Sequence, residues 1–277
     1  MFRSPATMSP EPTICTLGDL LLDVVVKLAR PLAEGDDTHG RTRAGAGGQA
    51  ANVAAWAAAL GAEARFIGKR GADGAGEMVE ADLLRRAVDV FGPPPTGRNG
   101  VVVSLVDVDG SRTMVSDRGV APELAPDEIE PEWFDGCGWL HVSGYALMRD
   151  PIGSAAERAV ELARGAGARI SADLSSVNLI RQFGAAELGD RLRRIRPDVV
   201  FGNEAEHAEL PLSSGIRVVK RGPGGARFDG QELLPVSGDV VDTTGAGDAL
   251  AAGYLVGGPD LAMEAAARCV AQLGSLP

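Results

Sequence analysis

Lysine, cysteine and histidine occur only three times each in the 277 residues, and that scarcity excludes several chemistries. Lys27, Lys69 and Lys220 are followed by Leu28, Arg70 and Arg221, so a Walker A loop, which needs Lys before Ser or Thr, is absent. The remaining basic residues are all arginine, which reads as a genomic composition bias. Cys15, Cys137 and Cys269 are odd in number, far apart and form no CxxC pair. They support neither a disulfide framework nor a zinc knuckle, and are expected to be buried apolar thiols. His39, His141 and His207 are too widely spaced for a metal cluster, and His141, in an apolar run, reads as a core histidine. No HExxH is present, and Ser143 and Ser154 lack the GxSxG frame.

Basic charge is also short. Twenty-seven basic residues face 38 acidic ones, a net charge of −11 that excludes a broad nucleic-acid surface but not a locally positive pocket for a small anion. No apolar run approaches the ~20 residues of a membrane span. The Ser/Pro-rich start, residues 1–13, has no hydrophobic leader core, so the expected location is the cytoplasm.

What the sequence has in excess is glycine, 37 residues, and their positions carry most of the functional reading. The length suits one large domain, 1–277, and 45 % apolar with 23 % charged residues is the composition of a chain that folds. Strand, helix and strand alternate. Residues 14–17 read as a short buried strand, and Val53, Trp56 and Leu60 share a helical face that ends at Gly61. Residues 64–67 read as a strand, and residues 74–88 as a helix with Met78, Ala81, Leu84 and Val88 inward. Strands at 139–142, 169–174, 199–201 and 216–220 alternate with helices at 155–164 and 187–195, and helices at 246–256 and 261–273 close the chain. Two hairpins interrupt the alternation, across Asp109-Gly110 and across Asp229-Gly230. The fold class is α/β, with a mostly parallel central sheet and a minor β appendage.

Asp242-Thr243-Thr244-Gly245-Ala246-Gly247-Asp248 is followed at once by an apolar helical run. Gly245, Ala246 and Gly247 at a helix start offer unpaired N–H groups and the positive end of the helix dipole to an anion. Asp248 is electrostatically wrong for phosphate alone, but suits a general base facing an alcohol that attacks phosphorus. The same tetrad also reads as a helix start with an acid in its first turn. Gly45-Ala46-Gly47-Gly48-Gln49-Ala50-Ala51-Asn52 matches GxGxxA, but residues 38–43 before it are polar and not the hydrophobic strand a dinucleotide fingerprint requires. It reads instead as glycines against a bulky polar ligand with Asn52 one turn in, or as an Asn capping a loop.

Asp19 and Asp23 stand in the run that ends the first strand, where a carboxylate can accept two hydrogen bonds from a vicinal diol, or serve a turn. Asn203-Glu204-Ala205-Glu206 follows a strand and reads either as an oxygen donor set for Mg²⁺ or as a helix N-cap with acids in its first turn. Residues 220–226, with Lys220, Gly222 and Gly225, read as a nucleotide-binding turn or an ordinary surface turn.

In this order and spacing the segments resemble the ribokinase-like (PfkB) carbohydrate kinases. Gly47-Gly48-Gln49-Ala50-Ala51-Asn52-Val53-Ala54, continuing to Gly71-Ala72-Asp73-Gly74-Ala75-Gly76, looks like the family's amino-terminal signature, and residues 242–248 look like its DTxGAGD signature. The resemblance implies a three-layer αβα sandwich with a small β lid from parts of 19–45 and 97–120, over a sugar site. It implies ATP and Mg²⁺ as cofactors and phosphoryl transfer to a primary alcohol of a sugar. By carry-over Asp248 is the base, Gly245, Ala246 and Gly247 form the anion hole, and Asp19, Asp23, Gly47, Gly48 and Asn52 hold the sugar. Asn203, Lys220, Gly222, Gly225 and Thr244 would flank the nucleotide, and Glu206 and Asp242 would face metal. A monovalent cation (K⁺) near Asp242 and Thr244 is implied as well, and a homodimer through the lid is an expectation. The link at 211–215 and the single helix after Gly257-Gly258 are short for the family and bear on the adenine pocket. A nucleoside kinase and a catalytically inactive sugar- or nucleotide-binding regulator are the alternatives.

Overall fold

A strand with apolar side chains on both faces demands cover on both sides. The first strand, β1 (Thr13–Leu17), is buried along its whole length and sits between two cores. The computed structural model describes residues 12–210 and 215–277; the Ser/Pro-rich start up to residue 11 and the link at 211–214 lie outside the described residues. From β1 the chain makes β2 (Leu21–Leu28), β3 (Gly40–Gly47), α1 (Gln49–Ala59), β4 (Glu63–Ile67), α2 (Gly74–Arg85) and β5 (Val88–Phe91). A hairpin, β6 (Asn99–Val106) and β7 (Arg112–Gly119), precedes β8 (Cys137–Val142), α3 (Gly144–Leu147), α4 (Ile152–Gly165) and β9 (Arg169–Asp173). Then come α5 (Val177–Phe183), α6 (Ala185–Ile195), β10 (Val199–Asn203), α7 (Glu204–Glu209) and β11 (Ile216–Lys220). The last elements are β12 (Ala226–Phe228), β13 (Gln231–Leu233), α8 (Ala246–Gly257) and α9 (Pro259–Val270).

Nine strands form one sheet in the order β13-β12-β11-β10-β9-β8-β1-β4-β5, parallel except for the β11-β12-β13 meander. Side chains alternate across it. Ile14, Phe66, Trp139 and Phe201 enter the core under α1, α8 and α9, while Cys15, Leu17, Ile67, Leu140 and Val200 enter the core under α4 and α6. Three layers follow from that alternation. All three cysteines are buried and free. The strand order reverses between β1 and β8, and the carboxyl ends of strands at such a switch point open the crevice where α/β sheets bind ligands.

The second sheet has four strands, β3-β2-β6-β7, with β2 and β6 parallel and the outer pairs antiparallel. Residues 40–47, which read as a polar stretch running into the glycine cluster, form β3, because their partner β2 supplies the apolar row that they lack. Asp23, expected at the end of the first strand, lies within β2 of this second sheet. The face of α2 is also corrected. Gly76, Val79 and Leu83 are buried, whereas Met78 and Leu84 are 43 % and 54 % exposed, and Val88 belongs to β5 after a left-handed turn at Ala87.

Candidate active site

At the carboxyl edge of the main sheet, beneath the small sheet, lies a cavity of about 330 Å³. Its floor comes from the start of α1 (Gly48, Gln49, Asn52), the start of α3 (Ser143, Tyr145) and the start of α8 (Gly245, Asp248), and its roof from Val102, Met114, Ser116 and Arg118. Alternate residues of a strand share a face, so Met114, Ser116 and Arg118 point into the cavity as one row of β7. Two glycines allow the close approach of backbone here. Gly48 has φ 102°, and a Cβ on it would lie 2.3 Å from the Asp19 carbonyl oxygen; Gly245, at φ 77°, caps α8, and a Cβ there would meet Ser275 at 2.7 Å.

Asp248 stands in the first turn of α8 and faces this cavity. Burial raises its carboxyl to about 7, against the hydrogen bond from Asn52; Asp173 adds to the rise, and Lys220 and a bond from Gln49 oppose it. Asn52 Nδ2 donates to Asp248 Oδ2 at 2.8 Å, and Asn52 Oδ1 accepts from Ser275 Oγ at 3.2 Å, which fixes the way the amide faces. Gln49 is fixed the same way: its Oε1 accepts from Ser143 Oγ (2.7 Å) and Ser175 Oγ (2.6 Å), leaving its amide nitrogen for Asp248. A carboxyl poised near neutrality and held by two oriented amides is equipped to take a proton.

A second cavity, about 300 Å³ and lined chiefly by apolar side chains such as Val236, Val240, Leu250 and Met263, lies on the other side of the α8 start. Ala246, Gly247, Gly222 and Gly225 line it, and Lys220 lines both cavities. Lys220 Nζ donates to Asp173 Oδ2 at 2.7 Å. Desolvation opposes the ammonium charge, but the paired Asp173 carboxylate holds its pKa above the ordinary lysine value. The N–H groups of the first turn of α8 thus lie where a polar and an apolar cavity meet beside a half-buried ammonium, an arrangement that suits an anionic group.

The other expected residues fall into two groups. Asp19 and Asp23 line the polar cavity. Asp19 is bound by Arg118 through two hydrogen bonds, 2.6 Å and 2.8 Å. Asp23 keeps one buried oxygen, Oδ1, without a partner in the protein, and burial pushes its carboxyl up. Thr244 lines the same cavity and donates its N–H and hydroxyl to Asp242. Gly47 does not line it; a Cβ there would press on Asp23 at 2.6 Å.

Asn203 and Glu206 form a reciprocal capping box at α7: Glu206 N–H donates to Asn203 Oδ1 (2.9 Å), while Asn203 N–H and Nδ2 donate to the two Glu206 oxygens (2.8 and 2.9 Å). Both carboxylate oxygens of Glu206, and both of Asp242, are therefore bonded within the protein. Among the described residues no three His, Cys, Asp or Glu side chains converge on a metal position. The donor set does not amount to a protein cage for Mg²⁺, an ion that is commonly held by substrate phosphates and water.

Gln49, Asp173, Arg118, Tyr145 and Ser275 were missed as site residues. Gln49 lay inside the glycine signature and was legible there; the others come together only through the fold. His141, read as a core residue, is fully buried with Nδ1 on Ser171 Oγ (3.0 Å), and burial lowers it to about 4.

A glycine-rich helix start, set between a polar and an apolar cavity under a four-stranded cover, is the architecture of a phosphotransferase of ribokinase-like fold. The solved adenosine kinase from Sinorhizobium meliloti has that fold: it is 22 % identical, with 97 % of this chain and 96 % of that one covered at a TM-score of 0.80. The model of the pfkB family of carbohydrate kinases matches residues 11–276, and the chain belongs to that family. An ATP-dependent ribose-1-phosphate kinase of Halopiger xanaduensis is 31 % identical over 92 % of this chain and 90 % of its own length. A fructokinase of Klebsiella pneumoniae is 31 % identical over 88 % and 83 %. No helix among the described residues is long and apolar enough to cross a membrane.

Proposed function

We propose that this carbohydrate kinase transfers the γ-phosphoryl group of ATP to a hydroxymethyl group of a furanose sugar bound in the polar cavity, with Asp248 as general base. The observation that carries the reading is the placement of Asp248 at the start of α8, with a carboxyl near 7 and Asn52 on one oxygen. Asp248 accepts the hydroxyl proton, the sugar oxygen bonds to the γ-phosphorus, and the bond to the bridging oxygen breaks to release ADP. The N–H groups of Gly245, Ala246 and Gly247, with Lys220, stabilise the charge on the transferring group. Asp23, Gly48 and Asn52 face the sugar, and the apolar cavity takes the base of the nucleotide, with Gly222 and Gly225 beside it. The four-stranded sheet acts as the lid. Mg²⁺, held by the nucleotide phosphates and water, would supply charge neutralisation to the transfer.

A furanose is favoured because the polar cavity lies at the low end of the ~300–1,000 Å³ range of small-molecule sites, and the two relatives named above act on ribose 1-phosphate and, by its name, on fructose. ADP release over a panel of ribose, ribose 1-phosphate, fructose and adenosine tests the reading. Stimulation by ribose 1-phosphate or fructose is the expected result. Stimulation by adenosine alone would assign a nucleoside kinase. A rise in melting temperature without ADP release would assign a binding protein.

A further inference from the structure

The loop at residues 242–245 is where the family resemblance places a monovalent cation, and there the Asp242 carboxylate is already engaged by the chain's own groups. Asp242 Oδ1 accepts from Thr244 N–H (2.9 Å) and Thr244 Oγ1 (2.6 Å) and pairs with Arg112, while Oδ2 accepts from Gly274 N–H (3.0 Å). The Asp242 side chain is 3 % exposed. A buried carboxylate needs a counter-charge, and here the counter-charge is a guanidinium from a strand 130 residues away. We propose that Arg112 takes the place of a monovalent cation at this loop, so that the protein works without potassium, and that it acts as a positioning residue for the anion-binding turn. The proposal rests on the kinase reading of the site.

Three observations support the substitution. The two bonds from Thr244 to Asp242 close the turn that delivers Gly245, in the left-handed region, to the N-cap of α8, so the state of the Asp242 carboxylate decides where the N–H groups point. A negative charge at that spot without a partner would repel the incoming phosphates, and the guanidinium removes that penalty as a bound cation would. The guanidinium also acts on a second acid: burial pushes the Asp23 carboxyl up, Arg112 draws it down, and Asp242 adds to the rise. A diffusing ion cannot tie the lid to the loop, but a side chain on β7 does. Arg112 and Arg118, six residues apart on one face of β7, each pair with an acid of the main body, Asp242 and Asp19.

The test compares wild type, Arg112→Ala and Arg112→Lys in KCl and in choline chloride at equal ionic strength, reading initial rates of ADP formation and melting temperature. Wild type is expected to give the same kcat and the same Tm in both salts, within about twofold in rate. Arg112→Ala is expected to lose about tenfold or more in kcat with a smaller change in the KM for the sugar, and Arg112→Lys to recover most of it. A several-fold activation of wild type by KCl over choline chloride, or an Arg112→Ala variant with wild-type kcat, would overturn the proposal. Should Arg112→Ala fail to fold, the wild-type salt comparison and Arg112→Lys decide. Should no acceptor support turnover, the kinase reading fails separately, and the melting temperatures still decide: a potassium-specific rise in wild type overturns the proposal, and its absence upholds it.

Discussion

Asp248 joins legible sequence to illegible chemistry. Its position after Gly245-Ala246-Gly247 is plain in the chain, as is the candidacy of Asn52, but that Asn52 and Gln49 aim their amide nitrogens at it depends on Ser143, Ser175 and Ser275, which the sequence scatters far from both amides and from one another. The raised carboxyl has two consequences. As the proposed base it must be ionised, so kcat/KM is expected to rise from the acid side through about pH 7 and level off above it, which a pH–rate profile checks. The sign for stability is opposite. Between an unfolded aspartate pKa of ~3.9 and the folded value of about 7, the native state holds a proton that the unfolded state lacks, so this group's contribution falls as pH rises through that window. Asp248→Asn, which stays neutral, is therefore expected to melt higher than wild type at pH 8 and no higher at pH 4. A lower melting temperature at pH 8 would contradict that assignment.

Elements were read well where period and punctuation agree and less well where two faces compete. The β1, β4, β8, β9, β10 and β11 strands and the α1, α4, α6, α8 and α9 helices lie where their apolar runs and glycines place them, within a few residues. In α2, the positions 78, 81 and 84 repeat at helical spacing as well as 76, 79 and 83 do, and only the sheet beneath decides between them. That choice is measurable. Leu83→Ala should cost roughly 2–5 kcal/mol, the range for a buried leucine, and Leu84→Ala, at 54 % exposure, less than about 0.5 kcal/mol, by chemical denaturation. The second sheet was half visible. Its hairpin declares itself through Asp109-Gly110, where Gly110 has φ 83°, but β3 reads as Gly-Arg-Thr-Arg-Ala-Gly-Ala-Gly and has strand character only because β2 pairs with it along eight residues.

At the scale of the whole molecule, the small sheet is fastened to the large one by charge. Arg118 holds Asp19 through two bonds, with the acid 6 % exposed and the arginine 24 %. Removing the arginine leaves a buried carboxylate without its partner, which costs more than the pair itself contributes. Arg118→Ala is thus expected to lower the melting temperature more than the double variant Asp19→Ala/Arg118→Ala, a cycle that calorimetry resolves. Neither this pairing nor that of Arg112 with Asp242 is visible in the chain, because 99 and 130 residues separate the partners and arginine is the default base of this sequence.

In the proposed mechanism Asp248 is the one group that changes protonation in the chemical step, and its removal is the most direct test. Steady-state kinetics of Asp248→Asn, alongside calorimetric binding of the same sugar, separates chemistry from binding. The expected result is a fall in kcat of at least about a hundredfold with the sugar Kd nearly unchanged. Turnover close to that of wild type would contradict it.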